Sequence, residues 1–142
     1  MDKSTAGREA EITALRELYA GINRNDVPAV LALLDPETEW TEPSEYPEGG
    51  TTRGIAAVEA ILIRARGTWA GGGCEPERFV VAGDNIVVVV HVRVRLKDQA
   101  EWLDGHLADV YTLRNGKILQ KRTFDEPHQA FEWVGVAASE AI

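Results

Sequence analysis

The sequence is poor in the residues that staple a fold, bind metal through sulfur or cross a membrane. One cysteine, Cys74, stands among 142 residues, so no internal disulfide can form and no cysteine-based zinc site can be built. It follows Gly71-Gly72-Gly73, a context that reads as loop, and an incidental thiol is the ordinary reading. Apolar runs such as Ile86 to Val90 are too short to span a bilayer. Positive charge is also scarce. Fifteen Lys and Arg face twenty-three Asp and Glu, a net charge of −8. That balance excludes the basic footprint of a nucleic-acid binder and argues against an anionic membrane as partner. Met1 to Gly7 is polar and lacks the apolar segment of a secretory signal, so a reducing cytoplasm is the expected setting. No phosphate cradle is visible, since Gly71-Gly72-Gly73 lacks a following Lys and Ser/Thr. No serine nucleophile elbow occurs either.

What is present is ordinary globular material, 44% hydrophobic and 27% charged. It predicts a single domain over 1–142, with its core at about 9–135. A chain of this length buries roughly two-thirds of its unfolded surface and has room for both a core and a pocket. Ile12, Leu15, Leu18, Tyr19 and Ile22 recur at helical steps within Glu9 to Ile22. Asp26 then caps a second short helix that carries Pro28 in its first turn and ends at Asp35-Pro36. Thr38 to Glu42 alternates around Trp40 as a strand, and Pro43 to Gly54 is a long loop. Ile55 to Arg66 is a third helix, and Gly67 to Glu77 reads as loop. Strands follow at Phe79–Ala82, Ile86–Leu96, Trp102–Leu113 and Ile118–Asp125, the last two joined by an Asn115-Gly116 hairpin signal. Pro127 opens a closing helix that ends near Gly135. Helices first and antiparallel strands after predict an α+β fold, not a doubly wound sheet.

Several phrases carry a resemblance. Asn23-Arg24-Asn25-Asp26-Val27 before Val30-Leu31-Ala32-Leu33-Leu34, Gly54-Ile55-Ala56-Ala57-Val58, Arg114-Asn115-Gly116-Lys117-Ile118, and Phe124-Asp125-Glu126 before Ala130-Phe131-Glu132 follow one another in a set order. In that order they resemble the nuclear transport factor 2-like superfamily, which includes ketosteroid isomerase and the SnoaL-type polyketide cyclases. The resemblance implies a cone-shaped, curved, mixed but mainly antiparallel sheet of the cystatin-like kind, wrapped by N-terminal helices and closed by a short C-terminal helix. It also implies pairing of two copies through the sheet.

The resemblance places a carboxylate base at Glu42, just before Pro43, and a proton-donating aspartic acid at Asp109. Ketosteroid isomerase is itself a worked case of such carboxyl tuning. The oxyanion tyrosine falls on Leu18, with Tyr19 one residue on and so about 100° around the helix. The cyclases place their acid/base aspartate where Asp125 stands; its ordinary role would be to cap the Pro127 helix. Glu42 is one of six acids between Asp35 and Glu48, so a solvated surface role competes with catalysis. Asp109 shares a strand face with Leu107, Tyr111 and Leu113, where an acid is costly unless it is paired or faces a cavity.

On the long strand, His91, Arg93 and Arg95 alternate with Val90, Val92 and Val94. Periodicity leaves two placements open, because Val87 and Val89 share the histidine face: lining the pocket, or facing outward at a dimer surface. His91, His106 and Asp109 would make a metal or proton-relay cluster, but without diagnostic spacing, and neither metal nor cofactor is expected. Trp40, Tyr19, Tyr111, His91, Trp69 and Phe124 are the candidate substrate-binding side chains. The expected function is cofactor-independent. The protein would bind an apolar, carbonyl-bearing small molecule, with isomerisation or aldol-type cyclisation by Asp109 and Glu42 or Asp125. The alternative is a non-catalytic binding or dimerisation domain of the same fold.

Overall fold

The run Ile86–Val90 lies at the centre of the layering. In the computed structural model, which describes residues 5–136, all five of its side chains are buried. A strand sends alternate side chains to opposite faces, so an unbroken apolar run needs cover on both. Ile86, Val88 and Val90 meet one apolar cluster, with Leu15, Leu18, Val30, Val58 and Leu62. Val87 and Val89 meet a second, with Ala130 and Phe131.

The elements run α1 Thr5–Asn23, α2 Val27–Leu31, β1 Leu34–Glu42, β2 Gly50–Arg53, α3 Ile55–Gly67, β3 Trp69–Ala82, β4 Asn85–Leu96, β5 Leu103–Arg114, β6 Lys117–Phe124 and α4 Pro127–Val134. The six strands form one sheet in the order β2-β1-β6-β5-β4-β3. Only β1 and β6 are parallel. Helices α1 to α3 cover the inner face and α4 covers part of the outer one. This is the mixed α+β architecture expected. Among the described residues no helix is long and apolar enough to cross a membrane.

Local chemistry sets the joints. Asp26 accepts from the Ala29 N–H (3.2 Å) and starts α2, with Pro28 in its first turn. Arg66, near the end of α3, donates to the Ile22 and Asn23 carbonyls at 2.8 and 2.9 Å, which satisfies the C-terminus of α1. Asn115 and Gly116 both take positive φ (53° and 77°), as a two-residue hairpin turn with the strands' twist requires. The cap of α4 is Glu126, in a capping box with Gln129, so the capping role expected of Asp125 falls one residue later.

Two loops of the sequence reading are strand. Gly50–Arg53 pairs with β1, and the Gly71-Gly72-Gly73-Cys74 stretch lies inside β3, paired with β4. The reason is position. β3 is an edge strand, where glycine and Pro76 are tolerated, and a long β-branched neighbour supplies the pairing. Two irregularities interrupt the ladders. Glu77 is an extra residue in β3, between Pro76 opposite Val90 and Arg78 opposite Val89. Leu119 is an extra residue in β6, between Ile118 opposite Leu113 and Gln120 opposite Thr112.

Candidate functional site

The inner face of the sheet and helices α1 and α3 enclose a cavity of about 250 Å³. Its walls are apolar, with Ile22, Leu62, Val90, Val92 and Leu107 among them, and Trp40 and Trp69 border it. Into this setting β5 and β6 project polar groups. Asp109 is 4% exposed and lies directly opposite Thr123, whose hydroxyl donates to Oδ1 at 2.6 Å. Tyr19 reaches across from α1 and donates to Oδ2 at 2.5 Å. Tyr111 lies 2.7 Å from the Tyr19 oxygen and 3.3 Å from Oδ2. The two phenol rings meet edge to face, 6.3 Å between centroids. Burial, and then the charge of Asp109, pushes both phenols well above their ordinary range. Both therefore keep their protons: Tyr19 donates to Oδ2, and Tyr111 shares its proton between the Tyr19 oxygen at 2.7 Å and Oδ2 at 3.3 Å.

A second polar pair stands beside the first. Lys121 Nζ lies 2.8 Å from Glu42 Oε1 and 4.3 Å from the centroid of the Trp40 ring. The two charged side chains are only 12% and 16% exposed. Burial pulls the lysine downward, but Glu42 and Asp109 outweigh it and hold the ammonium above its ordinary value. The buried indole N–H of Trp40 has no acceptor among the described residues. Cys74 also lines the cavity, and burial, with Asp109 adding to it, pushes its thiol up to about 12. At the rim, Tyr46 donates to Asp125 Oδ1 at 2.9 Å. Burial first, and then Asp125, raises the Tyr46 phenol.

The structure thus brings Asp109, Glu42, Trp40, Tyr19, Tyr111 and Trp69 to one cavity or its floor, and sets Asp125 at the exposed rim. It separates two of the expected substrate-binding residues from them. His91 pairs with His106 and Phe124 with Ala108, all on the outer face, so His91 and Phe124 do not line the cavity. Asp109 stands three residues beyond His106 on the same strand and therefore points the other way, so no cluster joins it to the histidines. Tyr19, not Leu18, makes the contact to Asp109, although both are buried. Lys121 and Thr123 carry no motif signal in the sequence. Counting alternation straight from the Asn115-Gly116 turn puts Lys121 outside, and the extra Leu119 reverses that parity.

Fold and cavity together define an α+β pocket protein of the nuclear transport factor 2-like superfamily. Residues 15–121 match the SnoaL-like domain, and the chain belongs to that family. An NTF2-like protein of unknown function from Burkholderia pseudomallei shares 26% identity, with 88% of this chain and 97% of that one covered at a TM-score of 0.73. TerC, co-crystallised with polyporic acid, shares 24% identity over 89% of this chain and 98% of its own, also at 0.73. A protein of ketosteroid isomerase-like fold from Catenulispora acidiphila, in complex with trimethylamine, shares 13% over 89% and 95%, at 0.71. The last two likenesses concern the fold alone. No curated protein matches the sequence.

Proposed function

We propose that the protein binds a mostly apolar, carbonyl-bearing small molecule in the inner cavity and moves a proton next to that carbonyl. The observation that carries this reading is Asp109: a carboxyl group nearly sealed from water, held by three hydroxyls, in an apolar chamber that also holds a lysine ammonium. Asp109 takes the proton α to the carbonyl. The carbonyl oxygen, now carrying the enolate charge, accepts from Lys121, which Glu42 holds in place. A fixed cation in a water-poor site stabilises such developing charge well. The proton on Asp109 then returns to another carbon, giving isomerisation. In the cyclisation variant the enolate carbon bonds to a second carbonyl carbon of the same molecule, and the proton goes to the new alkoxide. Two copies pair through the sheet, which sedimentation at several concentrations tests. That the similarly folded TerC and the Catenulispora protein hold small molecules supports the binding half of the proposal.

The experiment is α-proton exchange of a panel of enolisable ketones in D₂O, followed by NMR. Asp109→Asn is expected to lower the catalysed rate by about 10² to 10⁴, the usual worth of a positioned base. Glu42→Gln lowers it less, because Lys121 remains. If Glu42→Gln is the more damaging change, Glu42 is the base, as its place before Pro43 would imply. Background rates in the wild type, with ligand-induced quenching of the Trp40 region intact, would leave the non-catalytic binding domain as the reading.

A further inference from the structure

Opposite the cavity, on the outer face of the sheet, three strands each bring one side chain of a type able to ligate a metal to the same point. Glu77 comes from β3, His91 from β4 and His106 from β5, and a ligand atom from each lies within 4.8 Å of the others. The placement is built by the ladder. His91 and His106 are directly opposed across β4 and β5, and their rings stack at 4.8 Å with 18° between planes. Glu77 is the extra residue of the β3 bulge, and its Oε1 reaches His106 Nε2 at 2.8 Å. Bulges commonly re-aim a side chain in this way. On the far side, Asp104 Oδ1 lies 2.6 Å from His91 Nε2 and fixes that ring. A carboxylate bonded to a ligating histidine is the usual outer support of a metal site.

We propose that Glu77, His91 and His106 bind a divalent transition ion of the zinc class. Two imidazoles and one carboxylate suit Zn²⁺, Ni²⁺ or Cu²⁺ and are too rich in nitrogen for Mg²⁺ or Ca²⁺. Metal–ligand bonds of about 2.0–2.2 Å set ligand atoms roughly 3.4 Å apart. Closing the present group onto an ion therefore needs side-chain rotation, not backbone movement. Three protein donors leave a fourth position open to solvent. The site is distinct from the cavity, since the sheet separates them.

The test uses the tag-free protein stripped with a chelator. Calorimetric titration with Zn²⁺ is expected to give one ion per chain with micromolar affinity, and Co²⁺ to give visible absorption bands of low coordination number. Millimolar Mg²⁺ does not compete. His91→Gln and His106→Gln each weaken binding by at least about tenfold, with the thermal midpoint in chelator unchanged. His128→Gln leaves binding intact; that histidine sits on α4 between Glu126 and Glu132 and serves as an ordinary surface histidine–carboxylate contact. No saturable binding at submillimolar Zn²⁺, or binding that survives the His91→Gln/His106→Gln double change, overturns the proposal. Neither readout depends on turnover in the cavity.

Discussion

Asp109 and Lys121 show how single side chains in a small chamber divide the electrostatic load. Lys121 is the partner that Glu42 cannot lose without leaving a largely buried carboxylate alone. Lys121→Met should therefore cost about 2 kcal/mol in urea unfolding, below the ~3–5 kcal/mol of a fully buried pair, because both groups keep some contact with water. Adding Glu42→Gln to it should recover about half of that loss, which a double-mutant cycle reads directly. A larger loss in the double change would mean that Lys121 serves Asp109 more than Glu42. Cys74 offers a second test at this scale. With its thiol pushed up to about 12, iodoacetamide at pH 8 should leave the native protein almost unmodified and label it quickly in urea. Sequence reasoning reached Asp109 because an acid in a row of apolar alternates stands out. The tyrosine contact escapes a motif alignment, which counts residues, because both Leu18 and Tyr19 lie within the buried arc of α1 and only Tyr19 carries a hydroxyl to Asp109.

At the scale of elements, β3 departs most from its sequence signal. Glycine triplets argue against a strand, yet Gly72 pairs with Val94 in a place with no room for a side chain. Its φ is 97°, and a Cβ there would lie 1.9 Å from the Arg93 carbonyl oxygen. At Gly71 the nearest atom would be the Trp102 ring at 3.5 Å. Gly72→Ala should thus cost about 2–3 kcal/mol or more, and Gly71→Ala under about 1 kcal/mol, by chemical denaturation. Equal effects at the two positions would mean that the edge adjusts freely. The helices were legible because their stripes and caps are local: the Asp26 cap, Pro28 and the Leu15, Leu18, Tyr19 stripe of α1 all stand where the spacing puts them. The edge strands were not, because β2 and the first half of β3 owe their conformation to neighbours and not to their own composition.

For the molecule as a whole, the order of layers could be read and the orientation of the sheet could not. Ile86–Val90 is apolar on both sides because both sides are covered, so the run carries no sign of which face meets α1. The direction appears only from His91 onward, where α4 no longer shields the outer face. A global consequence concerns alkali. The chain has three tyrosines, and all three are raised above their ordinary value, each mainly by burial. In the unfolded chain phenols ionise near 10. The folded state keeps protons that the unfolded state gives up, so their contribution is intact below about pH 10 and is lost as pH climbs past it. Phenolate absorbance at 295 nm should therefore rise together with the loss of far-UV circular dichroism. A full three-tyrosine step near pH 10 with the native spectrum preserved would contradict this packing. The supernumerary Leu119 has the widest reach of all. Were Leu119 paired within the β5–β6 ladder, Arg122 would face Asp109 and Lys121 would turn to the outer face beside Val110. Two chains with the same residues in the same order could then show one guest different walls, Gln120 and Arg122 in place of Lys121 and Thr123, distinguished only by whether a single leucine is counted in the hydrogen-bond ladder or left outside it.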